Sequence, residues 1–188
     1  MTFPMGEGQI PFYYNYKTPS RKMAKSPKLI NDIPIRAYQF SVGESSYWLE
    51  YGNKPEYPFG YGLTYTTFEY GAVTLSDTLL LGSSSHGLTA SCDITNTGKC
   101  DAVAVPQLYI RDVVGSLTRP IRELKGFERV EIPVGETRWT GGMITVEGIE
   151  HRFCELGGTY TFSAEPGEFH VWIAPNSAEG QFAAFVLQ

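Results

Sequence analysis

Pro58-Phe59-Gly60-Tyr61-Gly62-Leu63-Thr64-Tyr65-Thr66-Thr67-Phe68-Glu69-Tyr70-Gly71 decides how the rest of the chain reads. Aromatic residues crowd around Gly60 and Gly62, where glycine lets the backbone take turns that other residues resist. From Thr64 to Tyr70 the residues become β-branched and aromatic, the composition of a strand. The stretch is therefore a hinge, with irregular chain before it and a run of strands after it.

Downstream, the pattern is regular. Leu88, Ala90, Cys92 and Ile94 alternate with Thr89, Ser91, Asp93 and Thr95, which predicts a half-buried strand. Asn96-Thr97-Gly98-Lys99 signals a turn. Val103 to Arg111 predicts the next strand, with Pro106 placing it at an edge or a bulge. Glu123 to Ile132 predicts another, and Pro133-Val134-Gly135-Glu136 turns the chain. Thr137 to Val146 continues in extended form, followed by a hairpin at Gly157-Gly158. Phe169, Val171 and Ile173 then face inward, with His170 and Trp172 on the other face, and Gln181 to Leu187 closes the chain. About seven or eight strands with turns every ~8–12 residues make a β-sandwich. No stretch has a helical period. Leu88, Ala90, Cys92 and Ile94 should oppose Phe169, Val171 and Ile173 across the sandwich core.

Upstream, Ile10 to Tyr14 is apolar throughout and could be one strand of a sheet covered on both faces. Residues 17–57 carry no sustained period, which is unusual inside a compact domain. Either this part lies on a body outside the chain or it is a floppy arm. Lys17 to Lys28 holds the one basic cluster, mixed with Pro and Ser, and reads as a solvated loop.

Composition narrows the function. The 188 residues are 42% hydrophobic and 19% charged, a globular profile, with a net charge of −5. A nucleic-acid partner would need a basic face, so none is expected. No apolar run approaches the ~20 residues of a membrane span. Met1 to Pro4 lacks the regions of a signal peptide, which says little if the chain is part of a longer one. Cys92, Cys100 and Cys154 match no metal spacing, and Cys92 falls on an apolar strand face as a buried thiol. His86, His151 and His170 lie on separate segments. No metal and no cofactor is expected. No nucleophile elbow, zinc motif or phosphate loop occurs. Nothing marks the two carboxylates, about 5–9 Å apart, that a glycosidase needs. The remaining candidates are Tyr47, Trp48, Tyr51, Tyr57, Phe59, Tyr61 and Tyr65, of which Tyr47, Trp48 and Tyr61 are the candidate substrate-binding residues. Aromatic faces stack on sugar rings, so a glycan is one candidate partner; packing against a neighbouring domain is the other reading.

Several phrases together resemble glycoside hydrolase family 3, the β-glucosidase and β-xylosidase group. Thr2-Phe3-Pro4 with Gly8-Gln9-Ile10-Pro11-Phe12-Tyr13-Tyr14-Asn15 is similar to a phrase near the end of its α/β-sandwich domain. Tyr57 to Thr66 resembles its interdomain phrase. Thr95 to Lys99, Gln107 to Asp112, Thr118-Arg119-Pro120, Glu123 to Phe127, Pro133 to Thr137 and Glu165 to Phe169 follow in family order. The resemblance implies a mainly β fold: an immunoglobulin or fibronectin type III-like sandwich at 58–188. Residues 1–57 would be an extended arm, the remnant of the α/β-sandwich domain and its linker. It also implies that the nucleophilic Asp and acid/base Glu of a retaining β-glycosidase precede residue 1. The chain would then be a C-terminal, non-catalytic support, inactive alone, whose partners are the N-terminal catalytic domains. The resemblance implies a periplasmic or secreted location. A binding module for a glycan or protein is the alternative, and an enzyme in its own right is a third reading.

Three departures from the family stand out. Ala102-Val103-Ala104 and Pro106 replace the usual approach to the Gln-Leu-Tyr strand. Thr140 and Gly142 stand where large apolar residues point inward, with Trp139 and Met143 on the other face. The loop Arg36 to Ser46 is unlike the usual one. A cluster around Phe59, Tyr61 and Tyr65 would need a covering wall, so an N-terminal arm wrapped on the sandwich or self-association is expected.

Overall fold

A computed structural model describes residues 1–17, 22–23, 26–38, 45–82, 87–154 and 160–188, and gives the backbone alone for residues 22–23, 45–46, 151–154 and 160–162. The hairpin tip at Gly157-Gly158, His86 and part of the Arg36–Ser46 loop lie outside the described residues, as does the Cys154 side chain.

In chain order, two short strands lie in the N-terminal part, β1 (Lys22–Met23) and β2 (Ser45–Ser46). The sandwich begins with β3 (Phe68–Tyr70), β4 (Thr74–Leu75), β5 (Leu79–Leu80) and β6 (Leu88–Asn96). It continues through β7 (Ala102–Ala104), β8 (Gln107–Asp112), β9 (Glu123–Phe127), β10 (Val130–Ile132) and β11 (Thr137–Ile144). A single turn of helix, α1 (Val146–Ile149), precedes β12 (His151–Cys154), β13 (Tyr160–Ser163), β14 (Gly167–Ala174) and β15 (Phe182–Leu187). One sheet has the order β11-β6-β3, with β4 also paired to β6. The facing sheet has the order β5-β15-β14-β8-β9.

The alternation in β6 does what its sequence requires. Leu88, Ala90, Cys92 and Ile94 are buried together with Phe169, Val171 and Ile173 in one apolar core. Phe169 and Phe185 stack within it, with ring centres 5.3 Å apart. Each such side chain contributes about 1.5–3 kcal/mol on leaving water. At the end of β6 the fully buried Asn96 builds the predicted turn. Its Nδ2 donates to the carbonyls of Cys100 and Ile132, and its Oδ1 accepts from the Thr66 hydroxyl and the Gly98 N–H. A Cβ on Gly98 would collide with Thr66, so the turn needs glycine there.

Five sequence expectations change. Val103–Arg111 and Glu123–Ile132 are each two strands. Ala104 pairs with Val130 and Gln107 with Phe127, so the register is the same on both sides of a gap. Pro106 has no N–H to donate, and its carbonyl instead accepts from the Glu128 N–H at 3.2 Å, so the ribbon changes sheet at this point. The strand at Thr137 ends at Ile144, because the Thr145 hydroxyl accepts from the Gly148 N–H and caps α1. Thr64 to Thr67 is not strand: Thr66 turns inward to Asn96, and pairing starts at Phe68. Ile10–Tyr14 forms no strand either. It follows a 3₁₀ turn at Glu7–Gln9, and Phe3, not this segment, bridges to Tyr57.

Candidate functional site

The N-terminal arm lies against the sandwich along one seam. Tyr14 stacks on Phe59 with centroids 4.1 Å apart and meets Tyr109 edge-on at 6.3 Å. The Tyr109 hydroxyl donates to Gln107 Oε1 at 2.5 Å. Gln107 Nε2 then donates to the carbonyls of Gly60, at 3.0 Å, and Pro175, at 2.7 Å. The Ser177 N–H donates to the Phe59 carbonyl at 2.9 Å. Gln107 starts β8 and faces the arm, so a buried amide finds its partners in the loop that carries Gly60.

Arg122 anchors the other side of the seam. Its guanidinium lies 4.3 Å over the Trp172 ring, and Nη1 donates to the carbonyls of Ser177 and Glu179 at 2.8 and 2.7 Å. Trp172 is on the outer face, as its place in β14 predicts, yet it is buried beneath Arg122 and Phe182. Burial pulls the Arg122 guanidinium below its ordinary range, while Tyr109 and Tyr16 push it back. Burial likewise pushes the Tyr16 phenol up, with Arg111 and Arg122 drawing it down. The Ile121 N–H donates to the Tyr16 carbonyl at 3.0 Å. Nearer the N-terminus, buried Gln9 accepts from the Met5 N–H and donates to the Lys54 carbonyl. A groove of about 550 Å³ runs along this seam, between Phe12, Tyr14 and Tyr16 on one wall and Arg122 and Ser177 on the other.

The aromatic residues do not form one cluster. Phe59 stacks on Tyr14 of the arm, Trp48 tilts against Phe12 at 5.4 Å, and Tyr61 packs on Tyr57 at 5.0 Å. Tyr65 stands 99% exposed. Tyr47 and Trp48 are half-buried and Tyr61 is exposed; among the described residues no ring contact joins these three. Two glycines and a proline send successive rings of this hinge in different directions. Gln107 and Arg122 are what the sequence reading missed. An amide starting an apolar strand was the available signal, since a buried amide needs partners. Among the described residues no three His, Cys, Asp or Glu side chains gather as a metal set.

A family model, "Fibronectin type III-like domain", matches residues 104–177. A periplasmic β-glucosidase from Salmonella typhimurium is 35% identical over 187 residues, covering 100% of this chain and 22% of the relative. The chain belongs to glycoside hydrolase family 3. This family 3 chain corresponds to the fibronectin type III-like portion of such enzymes. A β-xylosidase from Formosa agariphila is 35% identical over 138 residues, 73% of this chain and 16% of its own length. The crystal structure of a β-glucosidase from Listeria innocua in complex with glucose superposes with a TM-score of 0.77 at 29% identity. That match covers 100% of this chain and 23% of the other. The family 3 chain thus spans about a fifth of the length of the relatives that align along all of it.

Proposed function

We propose that this family 3 portion braces the catalytic domains of a β-glycosidase, a β-glucosidase in the first instance. In this reading residues 1–57 are the remnant of the α/β-sandwich domain and linker, and residues 58–188 are the fibronectin-like brace. The observation that carries it is where apolar surface remains uncovered. The most exposed of the large apolar side chains beyond Met1, namely Tyr65, Ile35, Leu63 and Tyr38, all lie in the arm and hinge, with Ile10 and Tyr13 also exposed there. Large apolar side chains left this exposed favour contact with another body. The contacts of Tyr14 with Phe59 and Tyr109, and of the Tyr16 carbonyl with the Ile121 N–H, join arm and sandwich, so that body would meet a stiff surface.

The test uses the catalytic part of the Salmonella relative, truncated where this chain aligns. Mixed with this chain, it should form a complex that elutes as one species and regains aryl β-glucoside hydrolysis. The chain alone should show no turnover above buffer. A double substitution, Leu63→Asp with Ile35→Asp, should weaken the complex. Failure to associate, or turnover by this chain that is lost on mutating one of its own carboxylates, sinks the reading.

A glycan contact at Tyr47, Trp48 and Tyr61 is the second reading, supported by the 46% exposure of Tyr61 beside the seam. Cellobiose titrated into the isolated chain tests it; a Tyr61→Ala variant that binds as wild type does counts against it.

A further inference from the structure

The two sheets do not meet at the edge where β9 faces β11. A crevice of about 240 Å³ opens between them. Its apolar wall is Leu108, Ile110, Ile144, Ile149 and Ile173, the last four of them buried. The cause lies in two inward positions of β11, Thr140 and Gly142, which hold a small polar side chain and none at all. A Cβ on Gly142 would meet only Leu108 Cδ1, at 3.1 Å, and one on Gly126 of β9 would meet nothing within 4 Å. Two facing glycines therefore leave unfilled the space where a sandwich normally packs a large side chain.

The chemistry of the crevice selects its occupant. An apolar cavity of ~150 Å³ lined by aliphatic side chains stays dry and takes a benzene-sized molecule. A volume of about 240 Å³ accommodates one ring with a substituent. A pyranose would press hydroxyls against the aliphatic wall, where nothing can pair with them. The polar side chains of the lining are Lys125, ion-paired with Glu123, Thr145, engaged at α1, and Thr140 with Glu128, the acceptor at the mouth. The Thr140 hydroxyl donates to Glu128 Oε2 at 3.0 Å, and Glu128 is exposed. A carboxylate has about four lone-pair sites, so Glu128 can accept a second donor. We propose that the crevice between β9 and β11 binds a single aromatic ring carrying a hydroxyl donor, a phenol or aryl alcohol, with the ring on the isoleucines and the hydroxyl on Glu128. This site is on the opposite face of β8 from the seam and does not depend on the proposed bracing role.

Phenol titrated into the full chain, followed by NMR shifts of methyl and amide groups, tests this. The expected result is saturable shifts at the crevice residues, with toluene binding more weakly than phenol and Glu128→Ala removing that preference. Gly142→Phe should fill the space, weaken phenol binding by about tenfold or more and leave the melting temperature equal or higher. Should Gly142→Phe fail to fold, Gly142→Leu serves the same purpose. Unsaturable shifts, shifts centred elsewhere, or undiminished binding by a folded filled variant overturns the proposal. So does a dimer in sedimentation that Gly142→Phe dissolves and phenol does not compete with, since a second copy would then be the occupant.

Discussion

The carboxamide of Gln107 occupies the space in which a side chain at residue 60 would begin. Its Nε2 donates to the Gly60 carbonyl at 3.0 Å, and a Cβ on Gly60 would collide with its Oε1. Gly60 also sits at φ +82°, a conformation that L side chains rarely adopt. Steric and backbone demands therefore coincide at one residue. Gly60→Ala should destabilise the chain by about 1–3 kcal/mol, the range for a non-glycine residue held in a left-handed conformation. Urea melts measure the cost. Hydrogen exchange at the Ser177 amide, bonded to the Phe59 carbonyl, should accelerate in parallel. A variant as stable as wild type, with Ser177 still protected, contradicts the hinge geometry.

The core makes a second prediction. Ile94 is fully buried, near the C-terminal end of β6, and part of the same apolar cluster as Val171 and Ile173. Ile94→Ala should cost roughly 2–5 kcal/mol, from lost transfer energy and the cavity left behind. The solvent-side neighbour Asp93 is exposed, so Asp93→Ala serves as the mild control. Equal denaturant midpoints for the two variants contradict the observed strand orientation.

The contrast between these two sites shows what a sequence carries. Ile94 was legible because a strand with one wet and one dry face writes its orientation into every second residue. The Asn96 turn was legible because few residues can close it. The breaks at Pro106 and at Glu128-Arg129 were not, since each half-strand alternates in the same register as its continuation and only a change of sheet separates them. The seam was partly legible: the Pro58–Gly62 stretch announced a hinge, but its fastening is Gln107, 47 residues from Gly60. No local pattern encodes a pairing at that separation. Phe59, Tyr61 and Tyr65 looked like one cluster because they are near in sequence, yet the turn at Gly60 sends Phe59 to Tyr14 and leaves Tyr65 in solvent.

Cys92 gives the chain a pH dependence of known sign. Burial, with a smaller contribution from Asp93, pushes its thiol from 9.0 up to about 11. A raised folded-state value means the native protein holds the proton more tightly than the unfolded one. The associated stability is complete below pH about 9, declines as pH rises towards about 11, and is flat beyond. Burial also raises the phenols of Tyr70 and Tyr109, which add losses at the alkaline end. Urea midpoints of wild type and Cys92→Ala, compared from pH 8 to pH ~11, isolate the thiol. The wild-type curve should fall more steeply than the variant's. In a Cys154→Ser background, exposed Cys100 should react with a thiol reagent at once and Cys92 only on unfolding. Parallel stability curves, or rapid labelling of Cys92 in the native chain, contradict this burial.

The arm supplies the last prediction. Tyr14 touches both Phe59 and Tyr109, and the Tyr16 backbone bonds to Ile121. Removing residues 1–57 therefore strips the cover from the rings of Phe59 and Tyr109 and from the walls of the seam groove. The truncated chain should bind more of a hydrophobic dye and become less soluble as concentration rises, because newly exposed apolar surface promotes association. Its core does not include the arm, so circular dichroism should still report β-structure. Tyr14→Ala in the full chain should act more gently: the arm loosens and a protease nicks it sooner, with the sandwich intact. Arg122→Lys should instead loosen the Ser177–Glu179 loop on the sandwich side of the seam, since an ammonium keeps the charge but loses the flat stacking on Trp172 and the paired donors to Ser177 and Glu179. A truncated chain that stays monomeric and soluble, with no gain in dye fluorescence, would show that the arm covers nothing the sandwich needs covered.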